Sequence, residues 1–149
     1  MTADGKIYKY LSSERREDAE LAKAAYKAST ENYEYIPPLW RDGLLSDEEK
    51  ISRARGVGYK YLPVNDRMKY AKVAVAAWSG NYMYVPMDVR SSNEELAMLA
   101  VADKPRIYYQ FVPEEIRAES LPLAKLAIEG SQANRACVPE NILNVLDGK

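Results

Sequence analysis

The sequence predicts an all-α fold: a short α-solenoid of about five repeats, each pairing a long helix with a short one, with partial caps. Three observations carry this. First, a phrase of aromatic, any residue, aromatic, aliphatic, proline recurs as Tyr33-Glu34-Tyr35-Ile36-Pro37, Tyr59-Lys60-Tyr61-Leu62-Pro63, Tyr82-Met83-Tyr84-Val85-Pro86 and Tyr109-Gln110-Phe111-Val112-Pro113. Tyr8-Lys9-Tyr10-Leu11-Ser12 is a copy with serine in the proline slot, and Arg135-Ala136-Cys137-Val138-Pro139 is one without aromatics. The anchors at 12, 37, 63, 86, 113 and 139 stand 23 to 27 residues apart, a period typical of stacked repeats. Second, an alanine-rich or apolar run precedes most copies. Third, capping residues and acids open those runs, as helix starts require.

Residues 1–16 read as an N-terminal cap, the back half of a repeat that lacks its first helix. Repeats follow at 17–45, 46–67, 68–91, 92–118 and 119–149, all in one domain. Glu17 to Ala28 is strongly helical, with acids in its first turn. The motif proline, tolerated at the first helical position, is expected to start each short helix. Ser46 and Glu49 have the spacing of a capping box. The helix behind them, Lys50 to Arg55, has only Ile51 and Ala54 as apolar members, and Gly56 and Gly58 loosen its end. Pro63 to Arg67 reads as a short helix and Met68 to Trp78 as a separate long apolar one, with Trp78 buried. Leu96 to Ala102 and Leu121 to Glu129 repeat the long helix, Asp103 to Arg106 reads as a longer turn, and Pro139 to Leu146 closes the chain. The residue five before the anchor is Asn32, Gly58, Asn81 or Asn134 in four copies, which suggests a left-handed turn.

Glu95-Leu96-Ala97-Met98-Leu99-Ala100-Val101 and Leu123-Ala124-Lys125-Leu126-Ala127-Ile128 best carry a resemblance to a family of short helical repeats. That family is known only as a domain of unknown function in bacterial and large-virus proteins. The resemblance, clearest from Val75 to Ile142, implies a helical array and offers no catalytic residue. The regular prolines and abundant tyrosines depart from the family's looser pattern.

Composition excludes several functions. The chain has 149 residues, 47% of them hydrophobic and 29% charged, with a formal net charge of −1. It therefore reads as a folded, soluble chain. One cysteine and no histidine leave no material for an internal disulfide or a Cys/His metal cluster. No apolar run approaches a membrane span and no apolar signal core opens the chain, so we expect a cytoplasmic protein, or one secreted without a signal peptide. Cys137 has no histidine to activate it, and no phosphate loop or nucleophile elbow is present. We expect no enzyme, no metal and no cofactor.

Binding is the remaining class. The 12 tyrosines fall mostly four and two before each anchor. Either they fill the seam between repeats, or they form an exposed strip that binds a partner. Between 50 and 72, Lys50, Arg53, Arg55, Lys60, Arg67, Lys69 and Lys72 face only Asp66, a local charge of +6. The arginines at 16, 41, 67, 90 and 117 recur four after the anchor, which suggests that they hold helix-end carbonyls.

The expected function is a non-catalytic protein-binding module, an adaptor or an inhibitor such as a phage or mobile-element product that blocks a host machine. The expected contact is Gly43 to Arg67 with Trp40 beside it, through Trp40, Lys50, Arg53, Arg55, Tyr59, Lys60 and Arg67. Because Lys50–Arg55 breaks the pattern, we expect it to be mobile until it grips an acidic, partly apolar protein surface. The rival reading is nucleic-acid binding through the basic, tyrosine-containing segment 50–72.

Overall fold

A computed structural model describes residues 5–41 and 43–149. The first four residues of the expected N-terminal cap lie outside these. Every regular element among the described residues is helical. The α-helices are α1 (Ser13–Arg16), α2 (Ala19–Ala28), α3 (Pro38–Arg41), α4 (Asp47–Ala54), α5 (Val64–Ala77), α6 (Met87–Ser92), α7 (Glu94–Asp103), α8 (Pro105–Tyr108), α9 (Glu114–Glu119), α10 (Leu121–Gly130) and α11 (Glu140–Leu146).

Each aromatic motif forms a 3-10 helix: Gly5–Tyr10, Thr30–Tyr35, Val57–Tyr61, Ser79–Tyr84, Tyr109–Phe111 and Gln132–Cys137. Its closing bond recurs in every copy. The N–H one before the anchor donates to the carbonyl four before it, as in Ile36 to Tyr33 (3.3 Å) and Val85 to Tyr82 (3.2 Å). Proline helps to end the 3-10 helix because it disfavours helical backbone in the residue before it. Ile36, Leu62, Val85, Val112 and Val138 are accordingly extended, with ψ between 127° and 148°. Pro63, Pro86, Pro113 and Pro139 are extended too and sit at the N-cap. The short helices therefore begin one residue later than expected.

Three other expectations change. Residues 63–67 and 68–78 are not two helices, because α5 runs unbroken from Val64 to Ala77. The anchors at 63 and 86 are only 23 apart, and Asp66-Arg67-Met68-Lys69 contains no glycine, proline or turn cluster to stop the helix. The turn at 103–106 contains the start of α8, with Pro105 at its first position. Trp78 is 41% exposed. It is the extended C-cap of α5 and its indole lies over Gly80, where any Cβ would collide with the ring.

The long helices begin where capping dictates. Asp18 Oδ1 accepts from the N–H groups of Glu20 and Leu21, Asn93 Oδ1 from Leu96, and Ser120 Oγ from Leu123. The Ser46/Glu49 capping box forms at α4. The main core joins Ala71, Ala74 and Val75 of α5, Leu96, Ala97 and Ala100 of α7 and Leu123 and Ala124 of α10. A smaller cluster joins Tyr8, Ala22, Ala25 and Ile36. Helix α5 packs on α4 and α7, and α7 packs on α10. Gly130, at the end of α10, lies so close to Pro105 that no side chain would fit.

The left-handed turn expected at Asn32, Gly58, Asn81 and Asn134 is absent. Among the described residues only Gly43 and Gly148 have positive φ. The asparagines act through their side chains. Asn32, Asn81 and Asn134 each donate from Nδ2 to the carbonyl seven residues back, at Ala25, Ala74 and Ala127, covering the open end of the long helix. Asn81 also donates to Ala54 and Gly56, and Asn134 to Pro105, so the same amide ties one copy to the one before.

Candidate functional site

The two aromatic positions of the motif part company. The inner one, four before the anchor, eclipses the aliphatic residue three later because a 3-10 helix has three residues per turn. Both point into the core. Tyr8, Tyr33, Tyr59, Tyr82 and Tyr109 are 0–4% exposed. The Tyr8 hydroxyl donates to the Arg16 carbonyl (3.0 Å) and that of Tyr59 to the Arg67 carbonyl. Burial pushes the phenols of Tyr33 and Tyr82 up to about 12, with nearby arginines opposing the shift. Burial raises Tyr59 and Tyr109 as well.

The outer position, two before the anchor, faces outward. Tyr10 is 77% exposed, Tyr84 38% and Phe111 40%, while Tyr35 and Tyr61 are half-buried. The residue between the two aromatics supplies the charge on this face. The Lys60 ammonium lies 4.9 Å from the centroid of the Tyr61 ring and 5.8 Å from that of Tyr84, a cation–π contact to both. The Tyr61 hydroxyl beside it raises the Lys60 pKa. The Glu34 carboxylate faces the hydroxyls of Tyr35 and Tyr61, which lower its pKa, and it raises that of Tyr35 in return. Lys9 lies 4.9 Å over the Tyr10 ring. Tyr35, Tyr61, Glu34, Lys9 and Arg53 border a cleft of about 640 Å³ floored by the turn at Gly56–Gly58.

The recurrent arginines fasten this face from beneath. Arg41 donates from Nε to the Ile36 carbonyl (2.7 Å) and from Nη2 to that of Glu34 (2.8 Å) in its own copy, and from Nη1 to the Tyr61 carbonyl (2.8 Å) in the next. Arg67 reaches the Tyr84 carbonyl (2.9 Å) and Arg117 the Cys137 carbonyl (2.6 Å) in the same forward sense. The expected carbonyl-holding role of these arginines thus falls on the ends of the 3-10 helices. Among the described residues Arg90 bonds within its own copy, to the Val85 carbonyl.

The seven residues singled out in the sequence do not converge on one surface. Tyr59 is fully buried, so the reading of it as a contact residue is corrected: the inner position faces the core in all five copies that carry a tyrosine there. Arg67 gives Nη1 to the Tyr84 carbonyl. Lys50 pairs with Asp66 at 3.2 Å, both side chains only 14% exposed, which ties α4 to α5. Trp40 is half-buried against the smaller cluster. Arg53 stacks at 4.5 Å on the Tyr33 ring and borders the cleft. Arg55 and Lys60 are exposed. Of the wider basic segment, Lys72 pairs with Glu95 at 2.7 Å. Sequence reading missed the outer ladder as a face distinct from the inner one, because tyrosine occupies both. The one available signal was the amphipathic spacing of the motif itself.

Among the described residues no three His, Cys, Asp or Glu side chains converge as metal ligands, and no helix is long and apolar enough to cross a membrane. No protein-family model matches the chain, and neither a curated protein nor a solved structure matches it.

Proposed function

We propose that this chain is a non-catalytic protein-binding module whose repeats stack as a short α-solenoid and whose outer aromatic ladder is the contact face. It would serve as an adaptor or as an inhibitor of another protein machine. The observation that carries this reading is the split between the two aromatic positions. The same residue type is kept in both, yet only the inner one serves the core. Tyrosines left half-exposed in register are the composition of a binding hot spot. The forward clasps of Arg41, Arg67 and Arg117 support stacking of consecutive copies. The pairing of Lys50, Lys72 and Arg67 with protein groups argues against a free basic face for nucleic acid.

The test is affinity capture from the native host, with and without nuclease, followed by mass spectrometry. A partner that survives nuclease and is lost with Tyr61→Ala and Tyr84→Ala, at unchanged helicity, is the expected result. Capture that disappears with nuclease, or that ignores both substitutions, overturns the reading.

A further inference from the structure

We propose that the first copy, residues 5–16, is a releasable strap. It swings away at Glu17–Asp18 as a unit and bares its seat on α2 while the rest of the molecule stays folded. This stands apart from the binding-face reading above. The joints between successive copies carry the argument. Each later joint has polar ties. Arg41 holds the Tyr61 carbonyl, Arg67 that of Tyr84 and Arg117 that of Cys137. Asn81 reaches back to Ala54 and Gly56, and Asn134 to Pro105. Ser79 Oγ donates to Asp103, and Lys72 pairs with Glu95.

The first joint has none of these. Among the described residues, no hydrogen bond or ion pair joins residues 8–16 to anything beyond Asp18. The Tyr8 hydroxyl turns back to the Arg16 carbonyl of its own copy (3.0 Å). Arg16 stands in the clasp position, four after the anchor, where the register makes the Tyr35 carbonyl its target. Its buried Nε has no hydrogen-bond partner, and with Tyr35 and Ile36 it borders a cavity of about 290 Å³. What holds the strap is apolar packing, led by the Tyr8 ring against Ala22, Ala25 and Ile36. A unit held by few buried contacts opens ahead of the global transition.

Two local features make release easy. The start of α2 is capped by its own Asp18, which accepts from Glu20 and Leu21, so the strap can leave without uncapping that helix. The anchor is serine in this copy alone. Ser12, at φ −58° and ψ 155°, has the backbone of the later anchors Pro63, Pro86, Pro113 and Pro139. Unlike proline it can leave that conformation once the strap lifts, which gives the released state more entropy. Its Oγ accepts from Arg15 at 3.4 Å, too long a bond to hold the strap closed. Release bares Ala22, Ala25 and Ile36 and takes Lys9 off the rim of the cleft of about 640 Å³.

Native-state hydrogen exchange on the full chain tests this through matched amides. The Leu11 N–H donates to the Tyr8 carbonyl just as those of Leu62, Val85 and Val112 donate to Tyr59, Tyr82 and Tyr109. Leu11 and Arg16 should show at least about tenfold less protection than Val85 and Val112. Low urea should hardly change their exchange, because lifting the strap exposes little surface. Ser12→Pro should slow Leu11 exchange about two- to fivefold and leave the matched amides unmoved. Tyr8→Ala should abolish protection at Leu11 and Arg16 while α5 and α7 keep theirs. Leu11 protection equal to that of Val85, or lost only in step with α5 and α7 as urea rises, overturns the proposal. So does Tyr8→Ala that unprotects α5 and α7 with the strap, or Ser12→Pro that leaves Leu11 unchanged.

Discussion

Helices α4 and α7 hold equivalent places in their copies, yet different forces hold them. In α7, Leu96, Ala97, Ala100 and Val101 are at most 1% exposed and pack between α5 and α10. In α4 only Ala54 is fully buried, and Ile51 is half-covered. Its attachments are polar: the Lys50–Asp66 pair, the Tyr26 hydroxyl donating to Glu49 (2.9 Å), and the Asn81 amide on the Ala54 carbonyl. Apolar packing is non-directional and survives small shifts, whereas polar ties depend on geometry and on the charge of each partner. The sequence reading of α4 as a weakly packed helix was sound. What holds it lay on neighbouring elements, at Asp66, Tyr26 and Asn81, none of which the helix's own pattern reveals.

The largest expected effect removes the contrast altogether. Both regions rest on inner tyrosines, Tyr33 and Tyr59 near α4 and Tyr82 and Tyr109 near α7. Their pKa values are raised in the folded state, to about 12 for Tyr33 and Tyr82, from 10.0. The folded form holds these protons more tightly than the unfolded chain. That stabilisation is complete below pH 10 and is lost as the pH rises from about 10 toward 12. Helix signal and phenolate absorbance should change together there, with α4 and α7 melting as one. Phenolate formation near pH 10 by every tyrosine, with helicity intact, would contradict burial of the inner ladder.

Next comes the apolar side of the comparison. Leu96→Ala should cost about 3 kcal/mol by thermal or urea denaturation, whereas Ile51→Ala on α4 should cost about 1 kcal/mol. Equal losses would mean that α4 is packed as tightly as α7.

Asn81→Ala should cost about 2 kcal/mol, because one buried amide serves the carbonyls of Ala54, Gly56 and Ala74. It joins the polar region to the apolar one, so its loss should lower their cooperativity, read as a gap between their hydrogen-exchange profiles. Asp66→Asn should cost about 1 kcal/mol, since the amide oxygen that replaces the carboxylate can still accept from the Lys50 ammonium. Its signature is local: amides of α4 should exchange faster while those of α7 hardly change. Uniform acceleration would show that the pair supports the whole fold.

The helices were legible because an apolar period, a capping residue and a proline are each local signals. The partition of the aromatic pair was not, since Tyr33 and Tyr35 are chemically the same and only the 3-10 turn assigns them opposite sides. Asparagine misled for a similar reason. Asn32, Asn81 and Asn134 suit a left-handed turn and an amide cap equally well on paper. Apart from Asp66, which lies within it and pairs with Lys50, the basic segment looked free in the sequence because its other counterparts are distant, as Glu95 is to Lys72, or are backbone carbonyls, which no sequence displays.

The arginine clasps close over tyrosine and cysteine alike at the outer position. Arg41, Arg67 and Arg117 grip the main-chain oxygens of residues 61, 84 and 137, where the side chains are tyrosine, tyrosine and cysteine. The bond to backbone does not depend on the side chain above it, although Arg41 also lies 5.9 Å over the Tyr61 ring. Position 84, where the tyrosine is 38% exposed, can therefore change with less disturbance than 61 or 35, where the tyrosines also pack against the core. At residue 84 the proposed contact surface and the joint beneath it thus lie on separate atoms, the ring facing outward and the main-chain oxygen held by Arg67.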